Sequence, residues 1–155
     1  MMQYMMQCDI AIIGGGMVGA ALGFGLAKAG KDTLILDQGD QALRAARGNF
    51  GLVWVQGKGA DFPSYAHWTL ASSQLWPQFA AELQSLTGID VQYQQRGGLE
   101  LFLDEAELDD YDKELALQVK ITDKAFHYQR LSPEQLAEKE PYIGKEVIGA
   151  TYSPH

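Results

Sequence analysis

Asp9-Ile10-Ala11-Ile12-Ile13-Gly14-Gly15-Gly16-Met17-Val18-Gly19 is the stretch on which the fold turns. Its first five residues are nearly all apolar and rich in β-branched side chains, as in a parallel strand covered on both faces. Three glycines follow. From Met17 to Ala29 the residues Val18, Ala21, Leu22 and Leu26 recur at helical spacing, with Lys28 near the end and Gly30 placed as a C-terminal cap. A second apolar run, Thr33-Leu34-Ile35-Leu36, ends at Asp37, and the short link from Gly30 suits a right-handed strand-helix-strand crossover. Within that frame Gly14-x-Gly16-x-x-Gly19 gives each glycine a task. The first makes a tight turn, the second lets backbone approach a pyrophosphate, and the third lets helix and strand pack closely. The amides and dipole of the helix N-terminus favour phosphate charge, and Asp37, 23 residues after Gly14, is placed to accept the hydroxyl protons of an adenosine ribose. The pattern predicts a site for the ADP half of a dinucleotide. It disfavours NADP, whose 2′-phosphate the carboxylate would repel, and by itself leaves FAD and NAD both open.

Composition narrows the class. The chain has 155 residues, 46% hydrophobic and 21% charged, the proportions of one globular domain. Its formal net charge of −8 repels nucleic acid and anionic membrane surfaces, so no polyanion partner is expected. Cys8 is the only cysteine, which excludes an intrachain disulfide and a paired-cysteine zinc site and fits a reducing, cytoplasmic location. Ile10 to Ala27 carries no charge over 18 residues, but six glycines break it as a membrane-spanning helix. Met1 to Asp9 contains no Lys or Arg, unlike the start of a secretory signal.

Further along, Gln41 to Arg47 predicts a short helix, and Leu52-Val53-Trp54-Val55 a brief strand in a glycine-rich loop. Asp61 as N-cap and Pro63 in the first turn open a long helix to about Leu86, kinked at Pro77 and closed by Gly88. Its stripe of Trp68, Leu75, Trp76, Phe79 and Leu83 is expected in the core. The alternation from Val91 to Gln95, the turn Arg96-Gly97-Gly98 and the run Leu99 to Leu103 read as antiparallel strands entering a second domain. Asp104 caps an acidic helix to about Lys120, Ser132 to Gln135 form a capping box for a helix from Pro133 to Lys139, and Val147 to Tyr152 is a last strand. The expected organisation is α/β: a Rossmann-type βαβ unit in residues 1–90, then the beginning of an α+β domain with antiparallel strands in residues 91–155.

Arg44 to Leu52, the segment Arg96 to Phe102 and the stretch Leu131 to Pro141, in this order after the glycine fingerprint, resemble the D-amino-acid-oxidase-like family of FAD-dependent oxidoreductases, which includes glycine oxidase and sarcosine oxidase. The resemblance runs over almost the whole chain. It implies FAD as cofactor and a full form that oxidises the C–H next to an amine of an amino acid or related small molecule, by hydride transfer to the flavin. Carried over residue by residue, it sets Gly14, Gly16 and Gly19 with the Met17 and Val18 amides on the pyrophosphate, Asp37 on the ribose, and Gln38 beside ribose or adenine. Arg44 or Arg47 would neutralise phosphate, and Asn49, Phe50, Gly51 and Leu52 would line the flavin. For both arginines a solvated surface position explains the sequence equally well. Gly23 stands where the family often has alanine, which is expected to loosen the helix without obstructing the site.

Family members are well over twice as long, so the resemblance implies a truncated N-terminal portion lacking the catalytic face and inactive alone; no catalytic residue is assigned. Two other readings stay open: a noncatalytic chain or subunit that needs a partner chain to complete its sheet, and an NAD-dependent dehydrogenase domain. His67 and His127 have no partner at metal or triad spacing, and the acidic run from Asp104 to Asp112 lacks the spacing of a calcium loop, so no metal is assigned. Trp54, Lys58 and Tyr65 are explained by packing or surface charge as well as by substrate contact.

Overall fold

A computed structural model describes residues 7–39, 45–49 and 51–155. The chain forms two compact units, Met1–Leu52 and Val53–His155. In the first, β1 (Ile10–Ile13) and β2 (Thr33–Leu36) pair in parallel with Ile10 opposite Thr33, joined by α1 (Met17–Lys28). This is the expected βαβ unit, with the expected Gly30 just past the helix end. The packing differs from the pattern in α1. Val18 and Leu22 are exposed, and the side facing the strands carries Gly19 and Gly23. A Cβ on Gly23 would lie 2.8 Å from Ile35 Cδ1, so Gly23 permits a close approach of helix to sheet and does not merely loosen the helix. The expectation that β1 is covered on both faces is not met among the described residues, where Ile13 is 81% exposed and β1 pairs only with β2.

Ala45–Arg47 form one turn of 3-10 helix, and the rest of the helix expected from Gln41 lies outside the described residues. Leu52 to Val55 is not a strand. Val55 is instead buried in the core of the second unit, and its carbonyl is bonded by a glutamine side chain where a neighbouring strand would have served.

In the second unit the long helix α2 spans Pro63–Thr87, with Pro63 in its first turn and Gly88, in the left-handed region at φ 73°, as its C-cap. Its N-cap is Phe62, not Asp61, and no side chain caps it. The core-facing side is Ala66, Leu70 and Ser73, at i, i+4, i+7. The aromatic stripe expected in the core is largely outside it: Trp68 and Leu75 are 70% and 62% exposed, while Trp76, Phe79 and Leu83 are half-buried. Both stripes have helical period, and the smaller residues face the interior because α3 lies against them.

A three-stranded antiparallel sheet in the order β3-β5-β4 follows: β3 is Gly98–Phe102, β4 Gln129–Leu131 and β5 Gly149–Ser153. The pairing expected between residues 91–95 and β3 does not form. Gln92 takes a positive φ of 56°, which breaks an extended run, and Tyr93 stacks on Trp76 with ring centroids 5.8 Å apart. The antiparallel partner of β3 is β5, reached after more than 40 intervening residues. β4 has no separate signal in the sequence, being three residues long. The helices α3 (Glu105–Ile121) and α4 (Pro133–Lys139) match expectation, Asp104 accepting from the Ala106 and Glu107 amides and Ser132 and Gln135 completing the capping box. One core cluster joins Val55, Leu70, Leu115 and Phe126; another joins Leu131, Leu136 and Ala150.

Candidate functional site

The glycine turn is built mostly from backbone. The Gly14 amide donates to Leu36 O at 2.7 Å, carrying the parallel ladder one residue past the end of β1. Gly14 then turns at φ 102°, in a region closed to most side chains. The chain enters α1 through Gly16, whose extended backbone leaves the helix without a side-chain N-cap. Nothing lies within 4 Å of where a Gly16 Cβ would be, so the approach to the helix N-terminus is open. A Cβ on Gly19, by contrast, would be driven into the Gly14 carbonyl oxygen. Gly19 is therefore the glycine that lets the first turn of α1 sit against the end of β1. No acidic side chain occupies that first turn, so its amides face no competing negative charge from within it.

Asp37 follows β2 and is held by the turn itself. Its Oδ2 accepts from the Gly15 amide at 2.6 Å and its Oδ1 from the Gly39 amide at 2.8 Å. Each carboxylate oxygen can accept a second hydrogen bond, and the residue is exposed. The structure thus joins Gly14, Gly16, Gly19 and Asp37 into one constellation, the fingerprint expected from the sequence. It also adds two residues that the fingerprint spacing does not single out, Gly15 and Gly39, which orient the carboxylate. A Gly15 Cβ would lie 3.2 Å from Asp37 Oδ2, so the middle glycine of the triplet has a reason of its own. The three consecutive glycines were the available signal.

The other candidates are placed as follows. Met17 and Val18 begin α1 with exposed side chains, and Gln38 is exposed beside Asp37. Arg47 ends the 3-10 turn, exposed and engaged in an interaction. Asn49 Oδ1 accepts from the Gly51 amide at 2.6 Å, so its side chain shapes its own loop, and Gly51 adopts φ 76°. Leu52 is 61% exposed. Arg44 and Phe50 lie outside the described residues.

In the second unit Trp54 packs over Gly98 at the start of β3, where a Cβ would strike its ring. Tyr65 meets Trp68 edge-on at 6.4 Å. His67 and His127 are exposed, and among the described residues no cluster of His, Cys, Asp and Glu forms a metal site. Several residues of the acidic run have partners: Arg130 binds Asp109 at 2.6 Å and Glu105 at 2.7 Å, tying β4 to α3, Lys113 pairs with Asp110 at 2.7 Å, and Asp112 accepts from the Tyr128 hydroxyl at 3.0 Å. Burial, with Glu100 and Glu114 nearby, pushes the Tyr111 hydroxyl up to about 12. Burial and a hydrogen bond to Asp112 likewise raise Tyr128 to about 12. Among the described residues no helix is long and apolar enough to cross a membrane.

The sequence model of the family described as FAD dependent oxidoreductase matches residues 9–155. A subunit of the opine oxidase of Rhizobium meliloti is 41% identical over 149 residues, covering 96% of this chain and 40% of that protein. Glycine oxidase of Geobacillus kaustophilus (strain HTA426) is 32% identical over 147 residues, covering 94% of this chain and 38% of that protein. The solved structure of glycine oxidase from Geobacillus kaustophilus matches with a TM-score of 0.80 at 31% identity, over 95% of this chain and 39% of that one. The chain spans about two fifths of the length of the relatives it matches.

Proposed function

This chain belongs to the family of FAD-dependent oxidoreductases, and from that premise we propose that it binds the ADP half of FAD in an enzyme whose whole form oxidises the C–H next to an amine. The observation that carries the reading is the joint geometry of Gly19 against the Gly14 carbonyl and Asp37 on the Gly15 and Gly39 amides. A glycine-rich turn without a ligand has no need of an uncapped helix N-terminus beside a pre-oriented carboxylate. The residues fit the cofactor: the approach to the helix N-terminus is open at Gly16, and Gly19 lets the first turn of α1 sit against the end of β1.

In this reading Gly14, Gly16 and Gly19, with the Met17 and Val18 amides, surround the pyrophosphate, where the α1 dipole offsets phosphate charge. Asp37 accepts from the ribose hydroxyls, with Gln38 beside the ribose or adenine. Arg44 or Arg47 neutralises phosphate, and Asn49, Phe50, Gly51 and Leu52 line the flavin, with Asn49 holding the shape of that loop. Bound FAD supplies the hydride acceptor. Residues 1–90 serve as the N-terminal part of the cofactor domain and 91–155 as the beginning of the substrate domain. The functional division then differs from the compact units, because α2 packs with the second unit. An amino acid or related amine is the substrate class supported by the names of the opine and glycine oxidase relatives. A cytoplasmic location is supported by the lone Cys8.

A second reading is favoured by one further observation. Ile13 and Val18 are 81% and 83% exposed, and the relative from Rhizobium meliloti is named as a subunit. The chain then acts with a partner chain that covers this apolar surface.

The test is the visible absorption spectrum of the purified chain after incubation with FAD and removal of free cofactor. A retained flavin band that disappears in Asp37→Ala is the expected result. No retained band, in a chain that is folded by circular dichroism and monomeric, overturns autonomous binding of FAD. Recovery of the band only on adding a co-expressed partner supports the second reading.

A further inference from the structure

The parallel ladder of β1 and β2 is closed at each end by an aspartate side chain. Ahead of β2, the register would send the Asp32 amide to the Cys8 carbonyl. The Asp9 carboxylate takes that place, its Oδ2 accepting from Asp32 N at 3.1 Å. The Asp9 and Ile10 amides donate back to Asp32 O at 2.9 and 3.2 Å. Past β2 the arrangement recurs with the strands exchanged, Asp37 Oδ2 accepting from the Gly15 amide at 2.6 Å. Between the two aspartates the strands run from Ile10 opposite Thr33 to Ile13 opposite Leu36, and the Gly14 amide on Leu36 O carries the ladder into the turn. All of these residues are described and lie in one compact unit, so the path from Asp9 to Asp37 is an unbroken series of paired backbone groups.

Burial of one face is what ordinarily enforces the register of a sheet, and here little is buried. Ile13 is 81% exposed, Leu36 48% and Ile35 41%, and Ile12 alone of the two strands is buried. A slip of one residue would carry Asp37 about 3.3 Å along the ladder and turn its side chain to the other face, away from the Gly15 amide. We propose that Asp9 is a positioning residue for the adenosine-ribose site: by closing the ladder at its far end, it sets the register that brings Asp37 to the Gly15 amide. The proposal rests on the reading of Asp37 as the ribose acceptor. Asp9 precedes Gly14 by five residues, about 16 Å of strand, so it touches no cofactor and acts through the ladder it closes. Asp9 and Asp32 are both exposed, and water could serve the Asp32 amide nearly as well for stability. What the carboxylate adds is a fixed partner, and a fixed partner selects one register.

The experiment uses the full chain with Asp9→Ala, which removes the acceptor, and Asp9→Asn, whose Oδ1 can still accept from the Asp32 amide. Amide hydrogen exchange at Asp32 reads the near end of the ladder, and at Gly15 the far end. Flavin fluorescence titration reads FAD affinity, at a temperature where circular dichroism shows each variant folded. Leu26→Ala, at a half-buried position of α1 outside the ladder, is the control for a loss of stability alone. In Asp9→Ala, exchange at both Asp32 and Gly15 is expected to speed by about fivefold and FAD binding to weaken by about fivefold, the equivalent of one net hydrogen bond. Asp9→Asn is expected to stay close to the native chain in all three readouts, and Leu26→Ala to melt earlier with FAD affinity unchanged. Faster exchange at Asp32 with native exchange at Gly15 overturns the proposal, because the bond is then only local. Unchanged FAD affinity in Asp9→Ala overturns it too, as does an Asp9→Asn chain equally impaired. If Asp9→Ala does not fold, Asp9→Glu, which moves the acceptor outward by one methylene, carries the same readouts; intermediate values support the proposal and native values overturn it. A native chain that binds no FAD overturns the cofactor reading and the ribose part of this proposal, while exchange at Gly15 still decides whether Asp9 sets the position of Asp37.

Discussion

The glycine turn of residues 14–19 and the α3 region of residues 104–122 are stabilised in opposite ways. The turn uses backbone: a Gly14 amide on Leu36 O, a helix pressed on strands through Gly19 and Gly23, and a carboxylate on two amides. Its apolar side chains point outward, Ile13 and Val18 almost wholly exposed. The α3 region uses side chains: Leu108 and Leu115 at 2% and 0% exposure, and Gln118 bonding a loop some 60 positions away in the chain. On the proposed reading, a site for a charged cofactor is built with little apolar core among the described residues around it, because amides and close approach are its working parts. It also means that the two regions should fail differently.

The largest effect is expected from Gly19→Val. The added side chain cannot share space with the Gly14 carbonyl, so α1 must lift from β1, and FAD retention should fall by at least about a hundredfold, the loss of several oriented contacts. Circular dichroism of the remaining helices should change little, since α2 and α3 lie in the other unit. Full retention of FAD would break the comparison by showing that close approach is not what forms the site.

Leu115→Ala should do the reverse. Truncation of a fully buried leucine between Val55, Leu70 and Phe126 costs about 2–5 kcal/mol, visible as a lower denaturant midpoint. A change below about 1 kcal/mol would mean that this cluster is not the core of the unit. Ser132→Ala sharpens the contrast at smaller scale. It removes the side-chain half of the α4 capping box and should cost about 1 kcal/mol, with FAD affinity unaltered.

The smallest effect lies in alkali. Tyr111 and Tyr128 are raised in the folded chain to about 12 against an ordinary value near 10, both first by burial. The unfolded chain then releases protons that the folded chain keeps, so their contribution is whole below about pH 10 and is lost as pH rises toward 12. A denaturant midpoint that falls from pH 10 to 12, and falls less steeply in Tyr111→Phe, is the expected outcome. An equal slope in both would remove Tyr111 from the account.

Much of the site was legible because its signals are local. A glycine is visible as a glycine wherever the chain goes, and the βαβ boundaries, the Asp104 cap and the Ser132 capping box are decided within four or five residues. The misreadings share one cause. The α2 stripe of Trp68 and Leu75 has the right period for a core, but period shows only that a face exists, and α3 selected Ala66, Leu70 and Ser73 instead. The hairpin expected between residues 91–95 and β3 was displaced by β5, a partner too distant for a turn signal to announce. Gln118 carried a faint signal, a polar residue on an otherwise apolar helical stripe.

The amino-acid sequence by itself determined the parallel βαβ unit, the order of its glycines and the carboxylate that follows β2, since each depends on backbone freedom or capping chemistry set by near neighbours. Only the tertiary structure decided which face of α2 is buried, which strand pairs with β3, how Gly15 and Gly39 hold Asp37, and that one glutamine serves the loop from Val55 to Lys58. Those are choices among partners far apart in the chain, and they are settled by which surfaces fit together and which buried polar groups find a bond.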